Sequence, residues 1–137
     1  GKELVKGVDY ELEYYDNYFP GKSSVLVKGK GDYYGEKTLY FYIKPENIYI
    51  TDLASNKKGS FTFATSYSES EWFEQEVEVV YSTDKNFKNK KVIKKPSGTV
   101  SNLKSNKTYY VKARTYIMMD GVKFYGDYSN VSTVKVK

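Results

Sequence analysis

An all-β chain of antiparallel sheets is what this sequence predicts, and three observations carry the expectation. The run Tyr109-Tyr110-Val111-Lys112-Ala113-Arg114 alternates strictly, so Tyr109, Val111 and Ala113 share one face and Tyr110, Lys112 and Arg114 the other. Period-two patterning with aromatic and β-branched residues suits a half-buried strand. Similar short runs recur along the chain, separated by Gly, Pro, Asn and Ser clusters at the spacing of a β-sandwich. Finally, 16 Tyr among 137 residues predict an aromatic core with wet edges, because each ring keeps one polar end.

The first region, residues 1–45, holds three strand candidates. Val8, Tyr10, Leu12 and Tyr14 fall on one face of the first, at residues 8–14. Residues 16–21 form a loop punctuated by Pro20 and Gly21, and residues 24–28 are the second strand. Residues 37–43 are the third, with Leu39, Phe41 and Ile43 on a common face. Three strands alone barely make an independent fold.

The run Lys6-Gly7-Val8-Asp9-Tyr10, with Gly29-Lys30-Gly31-Asp32-Tyr33-Tyr34-Gly35 further on, resembles the later half of a bacterial immunoglobulin-like repeat. Such repeats occur in large cell-surface proteins of Gram-positive bacteria. The glycines fit tight turns whose backbone angles only Gly adopts cheaply. The resemblance implies that the first strands of this module precede Gly1, making residues 1–45 a partial module.

Lys44-Pro45-Glu46-Asn47 reads as the boundary, because Pro cannot continue a central strand. Residues 46–137 then offer seven strands, at 48–53, 60–65, 75–82, 91–95, 99–103, 109–116 and 130–136. Residues 96–98 read as a turn and the Asp120-Gly121 pair as a hairpin tip. The lysines of residues 91–95 suit an edge strand that resists pairing with other chains. Leu103, a polar turn, and then Tyr109 opening a strand resemble the tyrosine corner of Greek-key sandwiches, where the ring enters the core and the hydroxyl bonds the backbone upstream.

Seven strands with that corner at the sixth resemble a fibronectin type III domain, and Phe63 stands where such sandwiches often bury a Trp. The stretches 80–87 and 109–129 look like the fibronectin type III modules of clostridial-type surface proteins, which commonly follow the repeat seen in residues 1–45. The fold class expected is therefore an immunoglobulin-like or fibronectin type III β-sandwich preceded by a smaller β module. The loop 66–73 departs from that family by its length and acidity.

Composition narrows the chemistry. With no Cys and no His, thiol, serine–histidine and imidazole chemistry and their metal sites are excluded. No apolar run nears transmembrane length, so no membrane insertion is expected. The carboxylates Glu69, Glu71, Glu74, Glu76 and Glu78 read as a solvated face, with weak calcium binding the alternative. Gly29-Lys30-Gly31 is no phosphate loop, since no helix follows it. The lysines 85, 88, 90, 91, 94 and 95, interleaved with Phe87, read as a solvated face or a loose attraction to anionic cell-wall polymers. A nucleic-acid partner is not expected, because such readers use Arg and this chain has only Arg114.

The loop aromatics Trp72, Phe73, Tyr125 and Tyr128 are candidate ligand contacts, with capping of the sandwich ends as the plain alternative. The resemblances imply a non-catalytic, monomeric spacer or adhesive segment without cofactors, extracellular or on a bacterial cell surface. Neighbouring domains, a cell-wall polymer, a glycan or a host protein would be its partners. The rival expectation is a carbohydrate-binding module attached to a cell-wall or polysaccharide-active enzyme, and a Lys–Asn crosslink is a third.

Overall fold

The computed structural model describes residues 2–137, which form eleven β-strands and no helix. The chain divides into two compact units, Gly1–Lys44 and Pro45–Lys137.

In the first unit, β1 (Tyr10–Tyr15), β2 (Gly21–Gly29) and β3 (Glu36–Ile43) make one antiparallel sheet in that order. Register decides its two faces. Leu12 pairs with Val27, Tyr14 with Val25, and Val25 with Leu39, so their side chains share one apolar face. The opposite face carries the Glu13–Lys28 ion pair at 2.7 Å, with the Tyr15 hydroxyl donating to the other Glu13 oxygen at 2.6 Å. Hydrogen bonding from Lys28 holds the Glu13 carboxyl below its ordinary range, and Glu13 in turn raises Tyr15.

Two strand limits differ from the pattern-based expectation. Val8 lies outside β1 in a turn and is 63% exposed; Gly7 there takes φ +86°, and Asp9 accepts the Val5 amide. β2 begins at Gly21 rather than Ser24 because pairing with β3 continues to Gly21 opposite Ile43. Gly29 has a steric role, since a Cβ there would lie 2.7 Å from the Tyr34 backbone.

The second unit contains two sheets. β4 (Ile50–Ala54), β5 (Phe61–Thr65) and β8 (Ser97–Val100) form one, in the order β4-β5-β8. The other runs β10 (Val122–Tyr125), β9 (Thr108–Met119), β6 (Glu76–Ser82), β7 (Lys91–Ile93), with β11 (Ser132–Lys135) also on β9. Strand β9 spans twelve residues and is the spine of this sheet, pairing with β10 at one end, β11 at the other and β6 along its opposite side.

Both sheets contribute to one core. Phe61 and Phe63 come from β5, Val77 and Val79 from β6, and Tyr109, Val111 and Ala113 from β9. The Phe61 ring meets Tyr81 edge-on at 5.6 Å and Tyr109 at 6.0 Å, geometries favoured by the ring quadrupoles. Residues 97 and 98, expected in a turn, instead extend β8, with Gly98 opposite Phe63. Asp120 and Gly121 both have positive φ at the hairpin tip.

The chain just past β11 is tied down on two sides. Val136 donates to the Lys107 carbonyl and accepts from Asn106, while Lys137 donates to Ser55 Oγ and accepts from Gly59.

Candidate functional site

The most elaborated surface is the face of the β9 sheet turned away from the core. Along β9 the core side takes Tyr109, Val111, Ala113 and Thr115, which leaves Tyr110, Lys112, Arg114 and Tyr116 outside. That outer face is covered rather than bare. Val80 of β6, opposite Lys112, is fully buried there, and Tyr116 is buried as well.

A broken strand supplies the cover. Between β10 and β11 the chain bulges away from β9 but stays bonded to it. The Gly126 amide donates to the Thr115 carbonyl and the Ser129 amide to the Ala113 carbonyl, while Ala113 donates back to Ser129 Oγ. The excursion of residues 127 and 128 brings Tyr128 over the sheet. Gly126 is required at its base, because a Cβ would meet the Pro45 carbonyl oxygen at 2.8 Å.

Cations and rings then alternate across the face. Lys112 Nζ stands 4.2 Å from the Phe87 centroid and 4.0 Å from that of Tyr128. The Arg114 guanidinium lies 4.1 Å from Tyr128 and 3.5 Å from Tyr125, whose ring packs on Tyr116 at 5.5 Å. Lys123 closes the series over Tyr116 at 4.7 Å. Each such contact contributes about 0.5–2 kcal/mol, more where water is excluded.

Glu78 is at the centre. It lies directly opposite Arg114 across β6 and β9. Its Oε1 accepts from Arg114 Nε at 3.1 Å, from the guanidinium terminus at 3.0 Å and from the Tyr128 hydroxyl at 3.3 Å. Burial raises Tyr128 above its ordinary range, and burial lowers Lys112, aided by the neighbouring charges of Lys90 and Arg114.

This corrects one expectation. The sequence groups Glu78 with its acidic neighbours on a solvated face, yet it is only 5% exposed. Alternation gives the direction of its side chain but not whether something covers that side. Glu69, Glu71, Glu74 and Glu76 are exposed, and among the described residues no three carboxylates gather into a metal-holding group.

The other singled-out residues are dispersed. Tyr125 and Tyr128 are half-buried on Arg114, whereas Trp72 is 78% exposed in the loop between β5 and β6, beside the partly buried Phe73. Leu103 packs against the core, and the buried Tyr109 uses its hydroxyl to accept the Lys104 amide at 3.1 Å. Phe87, at φ +59°, is turned under Lys112 instead of standing free among the lysines. In the first unit, Tyr10, Leu12, Val25, Val27 and Leu39 line an open apolar hollow of about 720 Å³.

No family model matches this chain, and no curated protein matches it.

Proposed function

We propose that the chain is a non-catalytic, load-bearing spacer or adhesive segment of a bacterial cell-surface or secreted protein. In this reading Pro45–Lys137 is a fibronectin type III-like sandwich, and the first unit is the later part of an immunoglobulin-like repeat. The observation that carries it is the joint occurrence of two sheets, β4-β5-β8 and β10/β11-β9-β6-β7, with a buried Tyr109 whose hydroxyl holds the Lys104 amide. Ladder bonds along β9 and the doubly tied residues Val136 and Lys137 suit a segment that resists extension.

The test is single-molecule stretching of the second unit between handles at its two ends. A spacer gives one cooperative unfolding peak per copy. Gradual extension without a peak would remove the load-bearing role.

A second reading, a carbohydrate-binding module, is favoured by the exposure of Trp72. Glycan-array and cell-wall pull-down binding that disappears in Trp72→Ala would replace the spacer reading with this one.

A further inference from the structure

The lysines are not spread evenly over this chain. Residues 82–107 contain eight Lys and one acidic residue, Asp84, a local charge of +7 against +5 for the whole protein. The structure folds part of this segment around a concavity. Two loops, one between β6 and β7 and one between β8 and β9, enclose about 500 Å³, with Lys88, Lys91 and Lys104 on its walls. None of these three forms an ion pair with a described residue.

The walls are held in place. Ser82 Oγ donates to the Lys88 carbonyl and accepts the Asp84 amide, and Asp84 Oδ2 accepts the amides of Asn86 and Lys88. The only carboxylate at the pocket is thus committed to its own loop. Asn89 and Asn102, at φ +54° and +60°, fix the two turns in left-handed conformations that Asn tolerates. Across the pocket, Tyr109 pins the Lys104 backbone through its hydroxyl. Tyr81 also lines the cavity, and its hydroxyl bonds to no described protein group. Burial raises its pKa, so it stays a donor across the neutral and moderately alkaline range.

Three ammonium groups without an ion pair among the described residues, the Tyr81 phenol and the side-chain amides of the lining residues Asn89 and Asn102 are suited to a tetrahedral oxyanion. Lysine is a compact point charge that binds phosphate or sulfate without demanding planar, two-pronged geometry. We propose that the pocket between the β6–β7 and β8–β9 loops binds the phosphate or sulfate groups of a linear polyanionic polymer, with Lys88, Lys91, Lys104 and Tyr81 as its contacts. Lysines 85, 90, 94 and 95, carried by the same stretch of chain, add to its positive charge and raise the encounter rate. This goes beyond the spacer reading, which requires no ligand, and its test is independent of the stretching experiment.

The test is binding of labelled long-chain polyphosphate and of a sulfated polysaccharide to the full chain, by fluorescence anisotropy between 50 and 200 mM salt. Binding of either probe supports the site, and the tighter one identifies the source of the oxyanion. Three contacts predict that affinity falls about 20- to 40-fold over that salt range, through counterion release. The Lys88→Ala/Lys91→Ala/Lys104→Ala variant should bind about tenfold more weakly or worse, with most of the salt dependence gone. Tyr81→Phe keeps the ring in the core and should weaken binding about threefold through the lost donor. A charge-matched control, Lys2→Ala/Lys6→Ala/Lys37→Ala, should bind like the parent. Equal losses in the control, or no binding of either probe at 50 mM salt, would overturn the proposal.

Discussion

Glu78 and Arg114 face each other across β6 and β9, and one carboxylate oxygen receives two guanidinium bonds, at 3.0 and 3.1 Å, on a sheet face that ordinarily meets water. The pair is shielded because Tyr128 and Tyr125 lie on the guanidinium. Removing one partner leaves the other charge desolvated, which is the costly event, whereas removing both can be nearly neutral. Arg114→Ala should therefore lower stability by about 2–4 kcal/mol, and Glu78→Leu/Arg114→Leu by clearly less. Urea unfolding of the single and double variants measures this. Equal losses in the two would mean that the ion pair itself, not the stranded charge, carries the energy.

Tyr109→Phe isolates the hydroxyl that accepts the Lys104 amide. The ring stays in the core, so the loss reduces to one hydrogen bond, about 1 kcal/mol. The Lys104 amide should also exchange with solvent faster in the variant. Unchanged exchange at Lys104 would contradict the bond's role in holding that turn.

Gly29 permits close contact between β2 and the following turn, because a Cβ would sit 2.7 Å from Tyr34 Cα. That neighbour is backbone and cannot swing aside. Gly29→Ala should cost about 1–3 kcal/mol, as overpacking does. Urea unfolding measures the loss, and two-dimensional NMR spectra would register the strain as shifts around Gly29 and Tyr34; unmoved signals there would contradict the steric role.

Alkaline pH should destabilise the second unit. Burial raises Tyr67, Tyr81 and Tyr128 above the ordinary 10.0. A group raised on folding contributes stability that is complete below its unfolded pKa and is lost as pH climbs through its folded one. The loss therefore begins near pH 10. Lys112 opposes it in part: its folded pKa lies below 10.5, so its penalty is relieved as pH rises toward that value. The net expectation is a urea midpoint that falls above about pH 10, less steeply in Tyr128→Phe. A midpoint that stays flat to pH 11 would refute this.

The strands were legible because alternation records directly which side chains face the core: Phe61 and Phe63, Val77 and Val79, Tyr109 and Val111 all lie there. The cover on the outer face was not. It depends on residues 126–131, a bulge with no period of its own, placing Tyr128 over a strand that precedes it in the chain. Without that cover Glu78 looks like any outward carboxylate. A clue existed in the solitary Arg of a lysine-rich chain, since stacking on rings with two-pronged carboxylate bonding is what Arg does and Lys does not. Similarly, Ser97 and Gly98 look like turn residues after Pro96, but β5 offers an unpaired edge that recruits them into β8.

Trp72 is the counterpart to the buried ladder. At 78% exposure, with its amide held locally by Ser70 Oγ, it adds little to packing. Trp72→Ala should change stability by no more than about 0.5 kcal/mol, in contrast to about 3–5 kcal/mol for Tyr109→Ala in the core. An exposed indole that contributes nothing to folding is free to be selected for contact with something outside the chain. Thermal melts of the two variants decide the matter. A large loss in Trp72→Ala would mean that the indole is needed to order the loop between β5 and β6, and a contact role would then no longer be required to explain it.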